Sequence, residues 1–255
     1  NEFKIIFWWE WIHRFLGRLI GIFYLIPLLF FTVKIGFKKL FNLYFIFLLI
    51  CFQGFIGWYM VSSGLVERVD VSHFRLSLHL VIAFLILCLI LWNFLKIKNF
   101  RIPSKKINFY FPLVLLLLIF CQITIGAFVS GMDAGKIYNS WPLMGTTYFP
   151  NDSKIISLFK LSAFSDPSLV QFMHRNLAYF IIIYYLLILL KIYKNNLINL
   201  FYSINLVGIL LFIQIFLGIL TLIFGAQIII ASMHQISSIF LVSSCVYFLY
   251  LNTKI

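Results

Sequence analysis

The stretch QFMHRNLAYFIIIYYLLILL, residues 171–190, decides the fold, because Arg175 is its only charged side chain. Twenty residues of α-helix rise about 30 Å, which is the thickness of a bilayer's hydrocarbon core. Similar apolar runs recur along the chain without the alternation that a β-barrel strand requires. The sequence therefore predicts an all-α integral membrane protein surrounded by lipid, with seven visible spans at about 11–33, 40–62, 72–95, 109–130, 169–190, 200–224 and 228–251.

The same stretch has an earlier counterpart, EWIHRFLGRLIGIFYLIPLL, residues 10–29. An offset of 161 positions aligns His13 with His174, and the same offset aligns Gln53, Gly57 and Gly64 with Gln214, Gly218 and Gly225. His79 matches His234 at an offset of 155, after a shorter intervening loop. We therefore predict an N-terminal repeat at 1–108 and a C-terminal repeat at 109–255.

The two repeats differ in their number of visible spans. Spans 5, 6 and 7 match spans 1, 2 and 3, whereas span 4 has no visible partner. The pattern predicts two pseudo-symmetric four-helix units, related by an axis along the membrane normal. We expect the first helix of unit one to be missing from this chain, which would leave the N-terminal repeat incomplete.

The distribution of charged residues predicts the orientation of the chain in the membrane. The segments after spans 1, 3 and 5 and the C-terminal tail hold eleven of the twenty basic residues, and all seven acidic residues fall on the other side. The positive-inside rule places the Lys-rich side in the cytoplasm or matrix. The net charge of +13 is therefore explained by topology, and it does not indicate a nucleic-acid partner.

One histidine lies in the first third of each span that runs inward, namely His13, His79, His174 and His234. Their predicted depth is on the order of 5–12 Å below the outer end of each helix. Facing helices of a bundle can hold a flat cofactor between such side chains, and haem iron accepts axial imidazoles. A single histidine would more simply be a buried polar residue, but four in repeat register favour two bis-histidine haem sites.

Three arginines near these histidines, Arg14, Arg75 and Arg175, have two open interpretations. Each could bind a haem propionate through charge-assisted hydrogen bonds. Each could equally extend its guanidinium to the membrane interface. The Gln-x-x-x-Gly pattern also occurs three times, beginning at Gln53, Gln122 and Gln214, and we attribute it mainly to close helix packing.

Glu10 distinguishes the two repeats. It precedes His13 by three residues, which places both side chains on one helix face, whereas Gln171 precedes His174. A carboxylate retained in one copy suggests chemistry in that copy and electron transfer in the other. The alternative is an interfacial Glu10 that pairs with Arg14.

Several of these stretches resemble the haem A synthase family, in its mitochondrial-type branch. The resemblance is carried by residues 2–21, 53–65, 71–80 and 171–179, by MHQ at 233–235, and above all by GAFVSGMDAGKIYNSWPLMG at 126–145. It runs along nearly the whole chain. The family has one more helix at its N-terminus, which agrees with the expectation from the repeat.

The resemblance implies an oxidoreductase that converts the C8 methyl of haem O to a formyl group, giving haem A for terminal oxidases. It implies that His174 and His234 ligate a haem b cofactor, that His13 and His79 bind the substrate haem, and that Glu10 is catalytic. The implied partners are haem O synthase and an unidentified electron acceptor or donor. Homo-oligomerisation is left open.

The predicted membrane of residence and the predicted function each have one main alternative. We favour a bacterial cytoplasmic membrane over the mitochondrial inner membrane, with the haem sites towards the periplasmic or intermembrane-space face. The alternative function is a membrane diheme b-type electron-transfer protein without porphyrin chemistry. Such cytochromes usually place two ligands on each of two helices, whereas this chain places one on each of four. A transporter would share the repeats but does not require the histidines.

Overall fold

The computed structural model describes residues 2–62, 71–98 and 105–253, and within the first range the side chains of 7–61. The described chain contains seven α-helices and no β-strand, and all seven helices are long and apolar enough to cross a membrane. The predicted all-α membrane fold is thus confirmed. The helices are α1 (Glu2–Ile35), α2 (Phe41–Ser62), α3 (His73–Ile97), α4 (Tyr110–Gly131), α5 (Pro167–Lys194), α6 (Ile198–Ile223) and α7 (Ile228–Leu251).

Some sequence-based expectations fall outside the described residues. They concern Gly64 of the repeat and the loop charges at Glu67, Asp70, Arg101 and Lys254.

The helix bounds match the predicted spans closely except at α1. This helix begins at Glu2 rather than near residue 11, so Glu10 lies within it and His13 lies about 16 Å along it. His79, His174 and His234 each lie only six or seven residues after the first residue of their helices. The apolar run underestimates α1 because Trp8, a residue type common at the membrane interface, lies in a helical turn before that run.

The chain forms two compact units, Asn1–Val69 and Asp70–Ile255. In the first unit α1 packs against α2, and the Tyr24 hydroxyl donates a hydrogen bond to the Leu43 carbonyl at 3.1 Å. The Thr32 and Tyr44 hydroxyls of this unit are 2.7 Å apart. The boundary between units differs from that between repeats, because α3 packs against α4 and α7. The repeat boundary at 108/109 describes sequence symmetry and stays a prediction.

In the second unit four helices close a ring. α4 packs against α5, α5 against α6, α6 against α7, and α7 against α4. This order places α5 and α7 on one diagonal of the bundle and α4 and α6 on the other. A polar contact lies at each end of the bundle. At one end, Asn139 Nδ2 donates to the Leu222 carbonyl at 2.9 Å, and at the opposite end the Ile107 amide donates to Asn252 Oδ1 at 3.1 Å.

The two halves of this bundle are packed differently. The half towards the ends of α5 and α7 holds the large buried apolar side chains, including Leu115, Ile188, Ile204 and Phe248. Close contacts of this kind contribute about 0.1–0.2 kcal/mol per atom pair and hold membrane helices together. The half towards the starts of these helices also contains histidine, glutamine and glycine. This composition marks it as the place for a polar or cofactor site.

Candidate functional site

His174 and His234 lie in that polar half, on diagonally opposite helices. Because α5 and α7 run in the same direction and the histidines lie at similar distances from the helix starts, the two side chains lie at the same depth. Both are partly buried. The structure therefore brings together the histidine pair predicted for the C-terminal repeat.

Each imidazole lies against a Gln-x-x-x-Gly element of the other diagonal. On α4, Gln122 Nε2 donates to the His174 carbonyl at 3.0 Å and lies 3.3 Å from the His174 ring nitrogen Nε2. On α6, Gln214 Nε2 donates to the His234 carbonyl at 2.9 Å and lies 3.3 Å from ring nitrogen Nδ1. The sequence analysis assigned this pattern mainly to packing. It missed the contacts with the histidines, although the pattern's recurrence was the signal that could have found them.

A long segment, residues 132–166, covers the end of the bundle at which α4 ends and α5 begins, and it is fixed to α5. Its attachment points on α5 include Ser168, Gln171, Arg175 and Tyr179, which recur every three or four residues and so form one stripe of the helix. Since this stripe flanks His174, the segment lies next to the histidine site. It contains the residues DAGKIYNSWPLMG, 133–145.

Arg175 makes the strongest of these attachments. Its Nη1 donates to the carbonyls of Ser140 at 2.9 Å and Leu143 at 3.2 Å, and its Nη2 donates to the Tyr138 carbonyl at 2.9 Å. Gln171 Nε2 donates to the same Tyr138 carbonyl at 3.1 Å. The guanidinium thus binds the covering segment, a role that the sequence analysis did not predict.

Two titratable groups outside the spans stabilise the same segment. The hydrogen bond that Ser168 Oγ donates to Asp152 Oδ2, 2.7 Å long, holds the pKa of that carboxyl below its usual value. Burial and the neighbouring Asp152 raise the pKa of Tyr138. The helix α5 begins beside these groups, with the Leu169 amide donating to Asp166 Oδ1 at 3.1 Å.

The remaining predicted site residues are divided between the two units. Glu10, His13 and Arg14 lie on α1, in the first unit, and their side chains are exposed there. Glu10 Oε2 accepts a hydrogen bond from Arg14 Nη2 at 3.1 Å, which is the ion pair considered as the alternative for Glu10. His79 and Arg75 lie on α3, in the second unit, and both are partly buried.

The profile of the COX15-CtaA family, described as cytochrome oxidase assembly protein, matches residues 1–246. The chain belongs to this family. The histidine pair, the two Gln-x-x-x-Gly elements and the covering segment all lie within the matched residues, so they are features of a COX15-CtaA member.

Several relatives of this COX15-CtaA member are named heme A synthase. The chain is 49% identical to the heme A synthase of Pelagibacter ubique (strain HTCC1062), over 100% of this chain and 76% of the relative. It is 39% identical to the heme A synthase of Rickettsia prowazekii (strain Madrid E), over 99% of this chain and 77% of the relative. It is 42% identical to the heme A synthase of Rickettsia bellii (strain OSU 85-389), over 95% of this chain and 74% of the relative.

Proposed function

We propose that this chain is a haem A synthase, an oxidoreductase that converts the C8 methyl of haem O to the formyl group of haem A. The observation that carries this proposal is 49% identity with a heme A synthase along the whole chain. The substrate is then haem O and the product supplies terminal oxidases. The proposed partners are a haem O synthase that delivers the substrate and an electron carrier that accepts or donates the electrons of the oxidation.

The histidine pair of the C-terminal repeat fits a haem b. Axial ligation requires two imidazoles that approach one iron from opposite sides. The placement of His174 and His234 at one depth on the α5–α7 diagonal supports this proposal. Gly126 and Gly218 support the fit, since they leave room for these imidazoles between the helices. A haem b bound here would supply one-electron redox chemistry, while the chain's own side chains would orient its ligands and cover the site.

For the N-terminal repeat we propose that His13 and His79 bind the substrate haem. This assignment rests on the repeat, which aligns them with His174 and His234, and on the family resemblance. Arg14 and Arg75 are proposed as donors to its propionates. Arg175 is the corresponding residue of the haem b half, and there the contacts of its two terminal nitrogens favour the covering segment.

Glu10 is the proposed catalytic residue. It lies three residues before His13 on α1, so its carboxylate and that imidazole project from one helix face about one turn apart. Arg14 Nη2 lies 3.1 Å from this carboxylate, which is the pairing that the alternative interpretation of Glu10 expects. From there Glu10 would accept a proton from the reacting methyl or stabilise positive charge that develops near it.

We place both sites towards the periplasmic face of a bacterial membrane. Support comes from the opposite end of the second unit, where Lys191 and Lys194 occupy the last turn of α5. The histidines of α5 and α7 lie near the other end, where the covering segment joins the bundle.

The test is expression from the complete reading frame in a host that makes haem O but no haem A. Extracted haems would be separated by chromatography and identified by mass. Haem A, or its hydroxylated precursor, is the expected product. Haem b alone, with haem O present and unchanged, would reject the synthase and favour the electron-transfer protein, which would share the histidine pair.

A further inference from the structure

The part of the covering segment that lies just before α5 exposes a cluster of apolar side chains. Residues 154–161 read KIISLFKL, and the chain forms two short 3-10 helices there, Ile155–Phe159 and Leu161–Ser165, which contact each other. Clustered apolar surface marks a place where a protein meets another protein or a membrane. Four residues of these helices are 64–88% exposed, and we call them the apolar patch: Ile155, Ile156, Phe159 and Leu161.

The second of these short helices is held against the bundle by its other side. Ala163 is 1% exposed, and the Phe164 ring meets the Phe128 ring of α4 edge to face, with ring centroids 6.2 Å apart. The same short helix also contacts α5. The apolar side chains therefore divide into a packed set, which attaches the segment to the bundle, and the apolar patch, which stays exposed.

The contact between Phe164 and Phe128 indicates the height of these helices in the membrane. α4 has 22 residues and is therefore about 33 Å long, close to the thickness of the hydrocarbon core. Phe128 lies three residues, about 4.5 Å, before the last residue of α4. Phe164 is thus level with the boundary between hydrocarbon and lipid headgroups, and the apolar patch lies beside this boundary.

Two lysines accompany the apolar patch. Lys154 precedes it and Lys160 lies within it, and both are exposed. Neither forms an ion pair with a carboxylate in the part of the chain that the structure describes. The nearest acids in sequence, Asp152 and Asp166, accept hydrogen bonds from the first residues of α5 instead. Apolar side chains next to lysines are typical of a segment that lies in the interface of a membrane with anionic lipids.

We propose that the apolar patch inserts into the headgroup region of the adjacent lipid leaflet, and that Lys154 and Lys160 bind the phosphates of anionic phospholipids there. The inference depends on the membrane fold and not on a bound haem. The covering segment is then attached on two sides, to α5 through Arg175 and to lipid through the apolar patch. Other possible occupants of the patch are residues 1–69 of the same chain and a second copy of the protein.

The experiment is photo-crosslinking of the full-length protein in nanodiscs of phosphatidylcholine that contain a minor share of phosphatidylglycerol. The photoreactive amino acid p-benzoylphenylalanine replaces Phe159, which is 83% exposed, so the change does not disturb packing. Adducts are identified by mass spectrometry. Two other probe positions serve as controls. Phe180 is an exposed residue within α5, and Lys136 pairs with Asp133 at 2.8 Å in a charged part of the same covering segment.

The probe at Phe159 should form its main adduct with phospholipid, as the probe at Phe180 should, whereas the probe at Lys136 should form few lipid adducts. Phosphatidylglycerol should be over-represented among the Phe159 adducts by about fivefold, the factor that corresponds to one Lys near an anionic surface. Lys154→Gln combined with Lys160→Gln should remove this enrichment and keep the lipid adducts.

Three results would overturn the inference. The first is a Phe159 probe that reacts mainly with protein, whether residues 1–69 or a second copy, or that forms no lipid adduct while the Phe180 probe does. The second is as many lipid adducts at Lys136 as at Phe159. The third is an absence of phosphatidylglycerol enrichment, or an enrichment that survives the loss of both lysines.

Discussion

Replacing Arg175 with leucine should release the covering segment from the bundle. The guanidinium makes three hydrogen bonds to carbonyls of residues 138–143, of which two are partly buried. A hydrogen bond to a charged donor contributes about 1.5 kcal/mol at the lower end of its range, so the two partly buried bonds account for about 3 kcal/mol. At 1.4 kcal/mol per tenfold change, local opening of the segment should become roughly 100-fold more frequent.

Hydrogen exchange measured by mass spectrometry on the protein in lipid nanodiscs reports such openings directly. Peptides covering residues 138–143 should exchange faster in Arg175→Leu, whereas peptides from the inner half of α5 should not change. Arg175→Lys is the matched control, because it keeps the charge but lacks the planar fork that reaches several carbonyls, and it should give an intermediate rate. Unchanged exchange in Arg175→Leu combined with loss of bound haem would refute this reasoning and identify Arg175 as a propionate ligand.

Three further predictions concern the two haem sites and the segment. Glu10→Gln should retain haem b but lose haem A formation, and normal haem A output from this variant would remove Glu10 from the mechanism. Gly126→Ala should weaken haem b retention by about 1–3 kcal/mol through contact with the imidazole, whereas Gly135→Ala, where the nearest atom would be 3.6 Å from the new Cβ, should not. The Asp152 carboxylate, whose pKa is lowered by Ser168, should stabilise the segment above about pH 4 and lose this effect as the pH falls through the lowered pKa. Ser168→Ala should move that loss to higher pH, which a carbon-13 NMR titration of the carboxyl groups would measure.

The fold could be predicted from the sequence because lipid imposes a simple rule. A segment that crosses the bilayer must be a helix or a strand of a closed barrel, and the apolar runs of about twenty residues without strand alternation located all seven described helices. The rule describes the hydrocarbon core and not the interface. It therefore placed the start of α1 near residue 11, although the helix begins at Glu2 and includes the interfacial Trp8.

The site was predictable only in part. The repeat aligned His174 with His13 and so singled out the proposed haem ligands, but the contacts around His174 follow from how the helices are arranged in the ring. No local pattern states that α4 and α6 form the second diagonal, and without that arrangement Gln122 and Gln214 look like packing residues. The attachment of Arg175 to carbonyls more than thirty positions away was equally invisible in the sequence.

The structure also changes the meaning of the difference between Glu10 and Gln171. Gln171 must donate a hydrogen bond to the Tyr138 carbonyl, and a glutamate there would direct a carboxylate at that oxygen across 3.1 Å. The amide is thus required by the covering segment of the C-terminal repeat, whatever happens at Glu10. The difference between the repeats is therefore not by itself evidence of chemistry. The catalytic proposal for Glu10 rests instead on its position one helical turn from His13 and on the family resemblance, whereas the ion pair with Arg14 is the contact that the alternative interpretation expects.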